Sequence, residues 1–336
     1  MLDPRDLTEA ERQLLSVLWK AELRNEPTDR KTLQALGRKD IGRRQVGWTD
    51  AYAGLVDKGL VTKKGRGYSA TKEGAECQTM LFREHPYWRF LYDEFYARVE
   101  ESRAHSVLCE RVYGRDLCQH GMMNMAQLQG LLDALRLDKG RRVIELGCGN
   151  GRIAEYISDL TGTHITGVDL SEEGIRRAKA RTKGKADRLR FLHANINDFN
   201  FKKGSFDVLI AVDTLYFIDM ATVIGRARKA LADGGQMGFL QSHWHQAHVS
   251  ADTLHPRKTP LAEALKKYDL RFTTRDFSAD EDAHWQRLLD ALNDLKPAFE
   301  AEGCLPLFEF RREEAEANVL WNGTGKRVRY LYHVRT

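Results

Sequence analysis

The chain has 336 residues, of which 42% are hydrophobic and 30% charged, so it is long enough and apolar enough for two domains with separate cores. Its formal net charge of +5 is small for this length, so composition alone does not require a polyanionic partner. The five cysteines are odd in number and form no C-x-x-C pair, which indicates neither a disulfide framework nor a zinc site.

The N-terminal residues are charged rather than apolar, with Asp3, Arg5 and Asp6 among the first six positions. No run of about 20 apolar residues, the length that spans a bilayer, occurs in the sequence. We therefore expect a reduced, cytoplasmic protein without a membrane segment.

The beginning of the chain shows the signals of three helices. Thr8 and Glu11 form a capping box, which predicts a helix from about residue 9 to about residue 23. Thr28 is expected to cap a second, short helix. A third helix is expected over about residues 45–58, because a glycine follows it.

Residues 60–71 are predicted to form two short strands around a glycine turn. Three helices followed by such a wing resemble a winged-helix domain, which we place at residues 1–76. In regulators of that fold the third helix enters the major groove of DNA and the wing touches phosphates. The candidate DNA contacts are Arg43, Arg44, Gln45, Lys63, Lys64 and Arg66.

The charge of this region argues against DNA as the favoured partner. Residues 1–75 contain 15 Lys or Arg and 11 Asp or Glu, a modest excess, and Asp50 lies within the expected reading helix. Winged-helix domains also serve in dimerisation or in enclosing a substrate, without touching DNA. Both roles stay open, and a homodimer is the expected assembly.

Residues 77–120 carry too many large side chains for a flexible linker and are predicted to be a helical connector or lid. Trp88, Leu91, Phe95 and Val99 share one helical face, which favours a stripe that packs two domains or two subunits together. The alternative is functional: aromatic side chains of this segment form a wall of a substrate pocket, or a cation–π cage for an alkylammonium group.

The stretch from Val143 to Arg152, V-I-E-L-G-C-G-N-G-R, organises the rest of the chain. It predicts a short strand, a turn with glycines at alternate positions, and a helix that begins near Ile153. Such a turn brings bare backbone close to a ligand. The spacing G-x-G-x-G differs from the dinucleotide pattern and suits a nucleoside whose ribose lies on the loop, although a simple tight turn has the same pattern.

Further strand signals follow this turn. Residues 165–170 include Asp169, about 20 residues past the glycines, where a carboxylate can accept both hydroxyls of a ribose. Three more strands are indicated at residues 189–193, 206–212 and 236–240, and helical stretches separate them. Five strands that alternate with helices predict a parallel sheet.

The two motifs resemble those of class I S-adenosylmethionine-dependent methyltransferases, and the resemblance runs through about residues 120–336. V-I-E-L-G-C-G-N-G-R resembles the first motif of that family, and G-V-D-L at residues 167–170 resembles the second. The resemblance implies an α/β fold with a Rossmann-like seven-stranded sheet in a domain at residues 121–336. It also implies S-adenosylmethionine as the cofactor.

The same resemblance assigns roles to individual residues. Glu145 supports the glycine loop and the methionine amine, Asp169 holds the ribose hydroxyls, and Leu170 lies against adenine. Family members commonly carry an acid at the position of Asn195, whose amide oxygen can still accept a bond from the adenine amino group. The full implied set for the cofactor is Glu145, Gly147, Cys148, Gly149, Asp169, Leu170, Asn195, Ile196 and Val212.

Asp213-Thr-Leu-Tyr216 follows the fourth strand, where the family presents the methyl group. Enzymes that methylate amines of nucleic-acid bases carry a D/N/S-P-P-Y/F tetrapeptide there. Neither proline is present at residues 213–216 of this chain, so base methylation loses support. Tyr216 remains a candidate for catalysis and for substrate binding.

In related enzymes the segment before the first helix of the domain folds over the methionine end of the cofactor. Tyr113, Gln119 and His120 occupy that segment and are candidates for the methyl-transfer site, with His120 as a catalytic candidate. Each could equally be a hydrogen-bonded surface side chain.

Histidines follow the fifth strand. His243 is the preferred general base for a hydroxyl or thiol nucleophile, because an imidazole titrates near neutrality, and His245 is a candidate substrate contact. They could also be a polar rim. His248 and His255 lie nearby, but no carboxylate or cysteine stands at ligand spacing, so we expect no metal site.

Residues 279–322 are predicted to be a largely helical insertion, followed by a last strand at residues 327–334 that the family pairs antiparallel to its neighbours. The insertion resembles the layout of small-molecule N-methyltransferases acting on phosphoethanolamine or glycine-type amines, in which it roofs the active site. That layout alone indicates no substrate.

The sequence thus predicts an S-adenosylmethionine-dependent methyltransferase that transfers a methyl group to nitrogen, oxygen or sulfur of a small molecule and releases S-adenosylhomocysteine. The alternative is a winged-helix DNA-binding regulator whose methyltransferase domain senses cofactor or metabolite, which tight and strongly salt-dependent duplex binding would favour. Methylation of RNA or protein is a third class, weakened by the modest charge and the missing prolines.

Overall fold

A computed structural model describes residues 6–23, 26–41, 47–84, 92, 95–245 and 249–336. The chain divides into two compact units. One consists of Met1–Trp88 with Gln246–Ser250, and the other of Arg89–His245 with Ala251–Thr336. Among the predicted residues, Arg43, Arg44, Gln45, Trp88, Leu91 and His248 lie outside the described part of the chain.

The first unit begins with the predicted capped helix. Thr8 N–H donates to Glu11 Oε2 at 2.8 Å and Glu11 N–H donates to Thr8 Oγ1 at 3.2 Å, which confirms the capping box. The helices of this unit that the structure describes are α1 (Glu9–Leu23), α2 (Arg30–Ile41), α3 (Trp48–Asp57) and α4 (Lys72–Glu84).

The start of α2 differs from the prediction. Asp29 caps the helix, because its Oδ1 accepts the backbone N–H groups of Lys31 at 2.9 Å and Thr32 at 3.2 Å. Thr28 was the wrong choice of cap: its hydroxyl instead accepts the backbone N–H of Tyr68 at 3.2 Å. Thr28 therefore joins the helices to the hairpin that follows them.

The predicted hairpin is confirmed as β1 (Val61–Lys64) paired antiparallel with β2 (Gly67–Ala70). Beneath it lies an apolar core that includes Leu14, Leu18 and Leu55. The guanidinium of Arg30 lies 4.5 Å from the centre of the Tyr52 ring, so a cation–π contact joins α2 to this core.

The second unit contains the predicted sheet. Its strands are β3 (Arg142–Leu146), β4 (His164–Asp169), β5 (Leu189–His193), β6 (Phe206–Val212), β7 (Leu231–Trp244), β8 (Arg271–Asp276) and β9 (Arg327–Arg335). They lie in the order β5-β4-β3-β6-β7-β9-β8. β3 to β7 pair in parallel, while β9 is antiparallel to both β7 and β8. The mostly parallel seven-stranded α/β sheet is confirmed, and β7 is longer than expected.

Helices cover both faces of this sheet. The described ones are α5 (Arg103–Tyr113), α6 (Met125–Leu135), α7 (Arg152–Thr161), α8 (Glu172–Arg181), α9 (Met220–Ala227), α10 (Pro260–Lys266), α11 (Ser278–Ala301) and α12 (Leu305–Val319). Ile144 packs in the core beneath α9 and α10, whereas its neighbour Val143 packs in the core beneath α6, α7 and α8. This alternation is that of a strand buried on both faces, and the parallel pairing brings the carboxyl ends of β3 to β7 to the same edge of the sheet.

The segment at 279–322 holds α11 and α12, which pack with α5 around a third core. Trp285, Leu288 and Leu292 of α11 are buried there together with Phe308 of α12. Within the described helices, none has the length and apolar character that a membrane crossing requires.

Candidate active site

The glycine turn after β3 is fixed by backbone geometry. Gly147, Gly149 and Gly151 have φ values of +74°, +54° and +72°, a region that side chains with a Cβ rarely adopt. A Cβ placed on Gly147 would lie 1.9 Å from Thr214 Oγ1. These positions therefore require glycine, and the turn lies at the carboxyl end of β3, where a parallel sheet opens for a ligand.

Asp169, at the end of β4, organises the turn. Its Oδ2 accepts the backbone N–H of Gly149 at 2.8 Å and its Oδ1 accepts that of Ser171 at 2.8 Å. An ionised carboxylate offers about four lone-pair positions, so the same group can also accept ribose hydroxyls. Asp169 thus lies beside the glycine turn.

Glu145 is buried beneath the turn, and its Oε2 finds no hydrogen-bond partner within the described residues. Burial, together with the nearby charge of Asp169, raises the pKa of this carboxyl to about 8. An unsatisfied buried acceptor suits a cationic donor from a ligand, such as the ammonium group of a methionine moiety.

Tyr96 covers the turn from above, which sequence reasoning did not anticipate. A Cβ on Gly149 would lie 2.1 Å from the Tyr96 hydroxyl, and a Cβ on Gly174 would lie 3.0 Å from its Cδ2. Only glycines allow a ring to approach so closely. Tyr96 therefore belongs to the cofactor side of the site.

Glu100 holds the Tyr96 segment on the sheet domain. Its Oε1 accepts bonds from Asn150 Nδ2 at 2.8 Å and from an Nη of Arg181 at 2.9 Å. Arg177 and Arg152 approach the same carboxylate at 3.6 and 3.5 Å. Because Asn150 lies inside the glycine turn, Glu100 links the segment that carries Tyr96 to this turn.

Asp213 stands where β6 ends, in the left-handed region at φ +51°. It forms a bidentate pair with the fully buried Arg329 of β9, at 2.6 and 3.0 Å. Asp213 Oδ2 also accepts the backbone N–H of Met122 at 3.0 Å, and a Cβ on Gly121 would lie 2.6 Å from the same oxygen. This pair fixes the loop before α6 against the strand ends.

The pair extends into a buried polar network. Arg329 also donates to Gln127 Oε1 at 2.8 Å and to Ser242 Oγ at 2.9 Å. Ser242 in turn donates to Glu281 Oε2 at 2.8 Å. The network connects β6, β7, β9, α6 and α11, so the insertion is fastened to the sheet.

Aromatic rings line the region above β6 and β7. The Tyr92 and Phe217 ring centres are 5.8 Å apart, those of Phe217 and Tyr216 are 4.6 Å apart, and those of Tyr216 and Trp244 are 5.8 Å apart. All four side chains are only half-buried, so each keeps surface that a small molecule could contact.

His120 lies beside these rings, and Arg311 links it to Tyr113. The His120 ring lies 4.8 Å from that of Tyr92 and 4.7 Å from that of Phe95. Arg311 of α12 donates to the Tyr113 hydroxyl at 2.6 Å and to the His120 carbonyl at 2.8 Å. Burial, reinforced by Arg311, holds the pKa of His120 well below its ordinary value, so the imidazole is neutral.

Gln119 serves the structure of its own loop. Its Oε1 accepts the backbone N–H of Leu117 at 2.9 Å and its amide donates to the Arg115 carbonyl at 3.2 Å. The side chain is buried, and its hydrogen bonds are to its own loop rather than to the aromatic rings above β6 and β7.

His243 packs on the α10 side of the sheet, where its Nε2 lies 3.4 Å from the Tyr332 hydroxyl. Tyr332 is itself bonded to Thr259, the cap of α10, at 2.7 Å. Burial, reinforced by the charge of Arg329, lowers the pKa of His243 to about 3. His245 is half-buried just beyond β7, and its backbone N–H donates to the Lys326 carbonyl.

The residues predicted to meet adenine lie at the ends of β4 and β5. Leu170 is 41% exposed and Asn195 is exposed, whereas Ile196 is buried in the core. Asn195 Oδ1 accepts the backbone N–H of Asn197 at 2.9 Å, which leaves a second lone pair for a ligand. Val212 is half-buried at the end of β6.

The strand order, with a glycine turn after β3 and an acid at the end of β4, gives this chain the fold of class I S-adenosylmethionine-dependent methyltransferases. The family match gives its extent, since residues 137–288 match the family model described as a methyltransferase domain. S-adenosylmethionine is the cofactor of such a domain.

Individual relatives agree with this assignment. Phosphoethanolamine N-methyltransferase 1 of Arabidopsis thaliana is 26% identical over 206 residues, which cover 60% of this chain and 38% of that protein. A ubiquinone biosynthesis O-methyltransferase of Aromatoleum aromaticum is 29% identical over 118 residues, covering 32% of this chain and 50% of that protein. The chain spans 28% to 50% of the length of the first curated relatives that it matches.

A solved structure shares the fold. Phosphoethanolamine N-methyltransferase 2 of Haemonchus contortus, in complex with phosphomonomethylethanolamine and S-adenosylhomocysteine, aligns with a TM-score of 0.59 at 16% identity. The alignment covers 73% of this chain and 60% of that one. At this identity the likeness concerns the fold.

The residues present fit S-adenosylmethionine. Gly147 and Gly149 present main chain without a Cβ to a ligand at the end of β3, and Asp169 is placed to accept ribose hydroxyls. The unpartnered buried oxygen of Glu145 is placed to accept from the methionine ammonium group. The Tyr96 ring packs against the turn at Gly149.

Proposed function

We propose that this protein transfers the methyl group of S-adenosylmethionine to a nitrogen, oxygen or sulfur atom of a small molecule. One observation carries the proposal: half-buried aromatic side chains cover the ends of β6 and β7, and they adjoin the cofactor turn, because Thr214 lies against Gly147 and the Tyr92 ring lies 6.3 Å from that of Tyr96. Such a cover suits an acceptor small enough to be enclosed and freed of water.

The cofactor supplies an electrophilic methyl group on a positively charged sulfur, and the protein contributes alignment and desolvation. In the proposal, Tyr216 and His120 line the path of the acceptor, with Tyr113 behind them. Because the pKa of His243 is about 3, this imidazole is a weak proton acceptor. We therefore no longer favour His243 as the general base, while His245, half-buried just beyond β7, remains a candidate substrate contact.

The experiment that tests this function is transfer of labelled methyl from S-adenosylmethionine into extract of the host cell, followed by separation according to molecular size. Label in the small-molecule fraction supports the proposal and supplies material for identifying the acceptor. Label only in protein or nucleic acid, or no label despite intact cofactor binding, contradicts it.

For the first unit we propose a winged-helix domain at residues 1–76, followed by a connector to residue 120 and the methyltransferase domain at residues 121–336. The three helices followed by the antiparallel hairpin support this assignment. Its proposed role is dimerisation or enclosure of the substrate, and light scattering of the full chain tests for the homodimer.

DNA binding by the first unit is the second candidate. Lys63, Lys64 and Arg66 of the hairpin are exposed, which favours contact with phosphates, whereas the acidic Asp50 is exposed on α3. Titration with duplex DNA at two salt concentrations decides between the roles. Tight binding that weakens steeply with salt indicates a regulator, and weak binding indicates a structural role.

A further inference from the structure

The acceptor side of the site presents a continuous series of aromatic rings. It runs from Tyr92 through Phe217 and Tyr216 to Trp244, and we call these four residues the ring wall. Neighbouring centres are 4.6 to 5.8 Å apart, and the planes are tilted or nearly perpendicular, at 59° to 87°. Aromatic faces are electron-rich and attract cations that lie over them.

The carboxylate of Glu314 on α12 lies beside this space, because one Nη of Arg311 donates both to the His120 carbonyl and to Glu314, and the His120 ring lies 4.8 Å from that of Tyr92. Burial is the main cause that raises the pKa values of Tyr92 and Tyr216, and Glu314 of α12 is among the charges that raise both further. Its charge therefore acts on hydroxyl groups from two separate segments of the ring wall. Glu314 Oε2 is held by Arg311 at 2.8 Å.

Arg311 gives this carboxylate a fixed position. Its side chain is 1% exposed, and besides Glu314 it donates to the Tyr113 hydroxyl and the His120 carbonyl. The guanidinium is thus anchored on the α5 and loop side, and Glu314 is placed by a buried residue rather than by a flexible surface contact.

Arg311 and Arg329, two of the buried arginines of this region, already carry several bonds. Arg329 donates to both oxygens of Asp213 and to Gln127 and Ser242, as described above. Their charges are balanced by Asp213 and Glu314. A negatively charged acceptor would have to compete with these bonds, whereas a cation meets electron-rich rings and a carboxylate.

We propose that the methyl acceptor is an amine, bound with its nitrogen against the ring wall and with an N–H donated to Glu314. This inference rests on the proposed methyl transfer. The nitrogen lone pair forms the new N–CH₃ bond, the S–CH₃ bond breaks with its electron pair left on sulfur, and a proton leaves the nitrogen for water. The positive charge that sulfur loses thereby appears on nitrogen, next to the rings and the carboxylate.

Other acceptors use this arrangement less well. A hydroxyl acceptor needs a base to remove its proton, and His243 and His120 both have pKa values far below neutrality because they are buried. An alkene acceptor has no N–H to donate to a carboxylate. An amine that arrives deprotonated needs only alignment.

The first test compares choline with its neutral carbon analogue dimethylbutanol, in which a tert-butyl group replaces the trimethylammonium group. Calorimetry on the full chain saturated with S-adenosylhomocysteine measures both affinities. We expect choline to bind about tenfold more tightly, the range of a cation over desolvated aromatic faces. Equal affinities, or preference for the neutral compound, overturn the proposal.

Variants locate the effect. Glu314→Gln keeps the shape of the side chain and should weaken choline binding about tenfold, while Glu316→Gln, the same change in an exposed neighbour on α12, should leave it unchanged. Tyr216→Leu should remove the preference for choline, and Tyr216→Phe should keep it. Loss of the preference in the phenylalanine variant as well would assign it to the hydroxyl and overturn the role of the ring.

Turnover separates this inference from the proposed function. The labelled methyl assay is run with primary amines and with the matching alcohols and thiols. Methylation of alcohols but not amines overturns the amine inference and leaves methyl transfer intact. Preference for choline without any methyl transfer, at full cofactor occupancy, supports cation recognition and contradicts the proposed enzyme function.

Discussion

The cofactor side and the acceptor side of this site are built from different parts of the polypeptide. On the cofactor side the main chain forms the surface, at Gly147 and Gly149, and Asp169 binds backbone N–H groups. On the acceptor side the surface consists of side chains such as Tyr216 and Glu314, which come from distant segments. The backbone surface tolerates almost no substitution, whereas substitutions in the side-chain surface can change which acceptor binds without altering the sheet.

One ion pair supports both sides, and its loss should have the largest effect. Replacing Arg329 with Met leaves Asp213 buried without its counter-charge, and we expect the free energy of unfolding to fall by about 3–5 kcal/mol. Urea denaturation measures the change. Arg335→Met, at an exposed position of the same strand, should cost less than about 0.5 kcal/mol. A comparable loss in both variants would contradict the special role of the buried pair.

Gly149→Ala should affect the cofactor side alone. The added methyl group meets the Tyr96 hydroxyl and the residue has a positive φ, so we expect S-adenosylhomocysteine to bind about 100-fold more weakly, about 2.7 kcal/mol. Calorimetry provides the measurement. Gly184→Ala, where an added Cβ meets nothing within 4 Å, is the matched control. If the affinity for S-adenosylhomocysteine fell less than threefold, the turn would have adjusted to the added methyl group, and the prediction would be wrong.

The pH dependence of stability tests whether His243 is as poor a base as its burial implies. The pKa of His243 is about 3 in the folded protein, against an ordinary value near 6.5. The unfolded chain therefore takes up the proton first, and the stabilisation is full above pH 6.5 and is lost as the pH falls from there toward 3.

Between pH 7.5 and 5.5, the wild-type protein should thus lose about 1.4 kcal/mol more unfolding free energy than His243→Gln. Denaturation at the two pH values measures this difference. A rate profile that shows an inflection between pH 5 and 8, and loses it in the variant, would instead make His243 a working base.

The smallest expected effect concerns the Tyr96 cover. Glu100→Gln weakens its bonds to Asn150 and Arg181, and S-adenosylhomocysteine should dissociate about fivefold faster, about 1 kcal/mol. Stopped-flow displacement measures the rate. Glu101→Gln removes the charge of a side chain that is 72% exposed and should change the rate little. Equal rates in both variants would mean that Glu100 does not restrain the cover.

The cofactor side could be predicted because its parts lie close together in sequence. Gly149 and Asp169 are separated by 20 residues, and each follows a strand with a plain apolar pattern. The capping box at Thr8 is equally local and was confirmed. Thr28 failed because the neighbouring Asp29 can cap as well, and local sequence does not decide between them.

The acceptor side could not be predicted in the same way. Arg329 lies 116 residues from Asp213, and Arg311 lies 198 residues from Tyr113. In sequence, Arg329 is one of the charged residues of an alternating strand, a pattern that usually indicates a solvent-facing side. Its burial depends on an acid that only the folded sheet brings near.

The position of β9 has a consequence for synthesis of the protein. This strand lies between β7 and β8 although it follows both in the chain, so their facing edges cannot both be paired until residues 327–335 have left the ribosome. Until then a long edge of β7 is open to unwanted pairing, and Asp213 lacks its ion pair with Arg329. The cofactor turn can form earlier from residues 142–169, so a nascent chain should acquire its nucleoside site before it acquires its acceptor site.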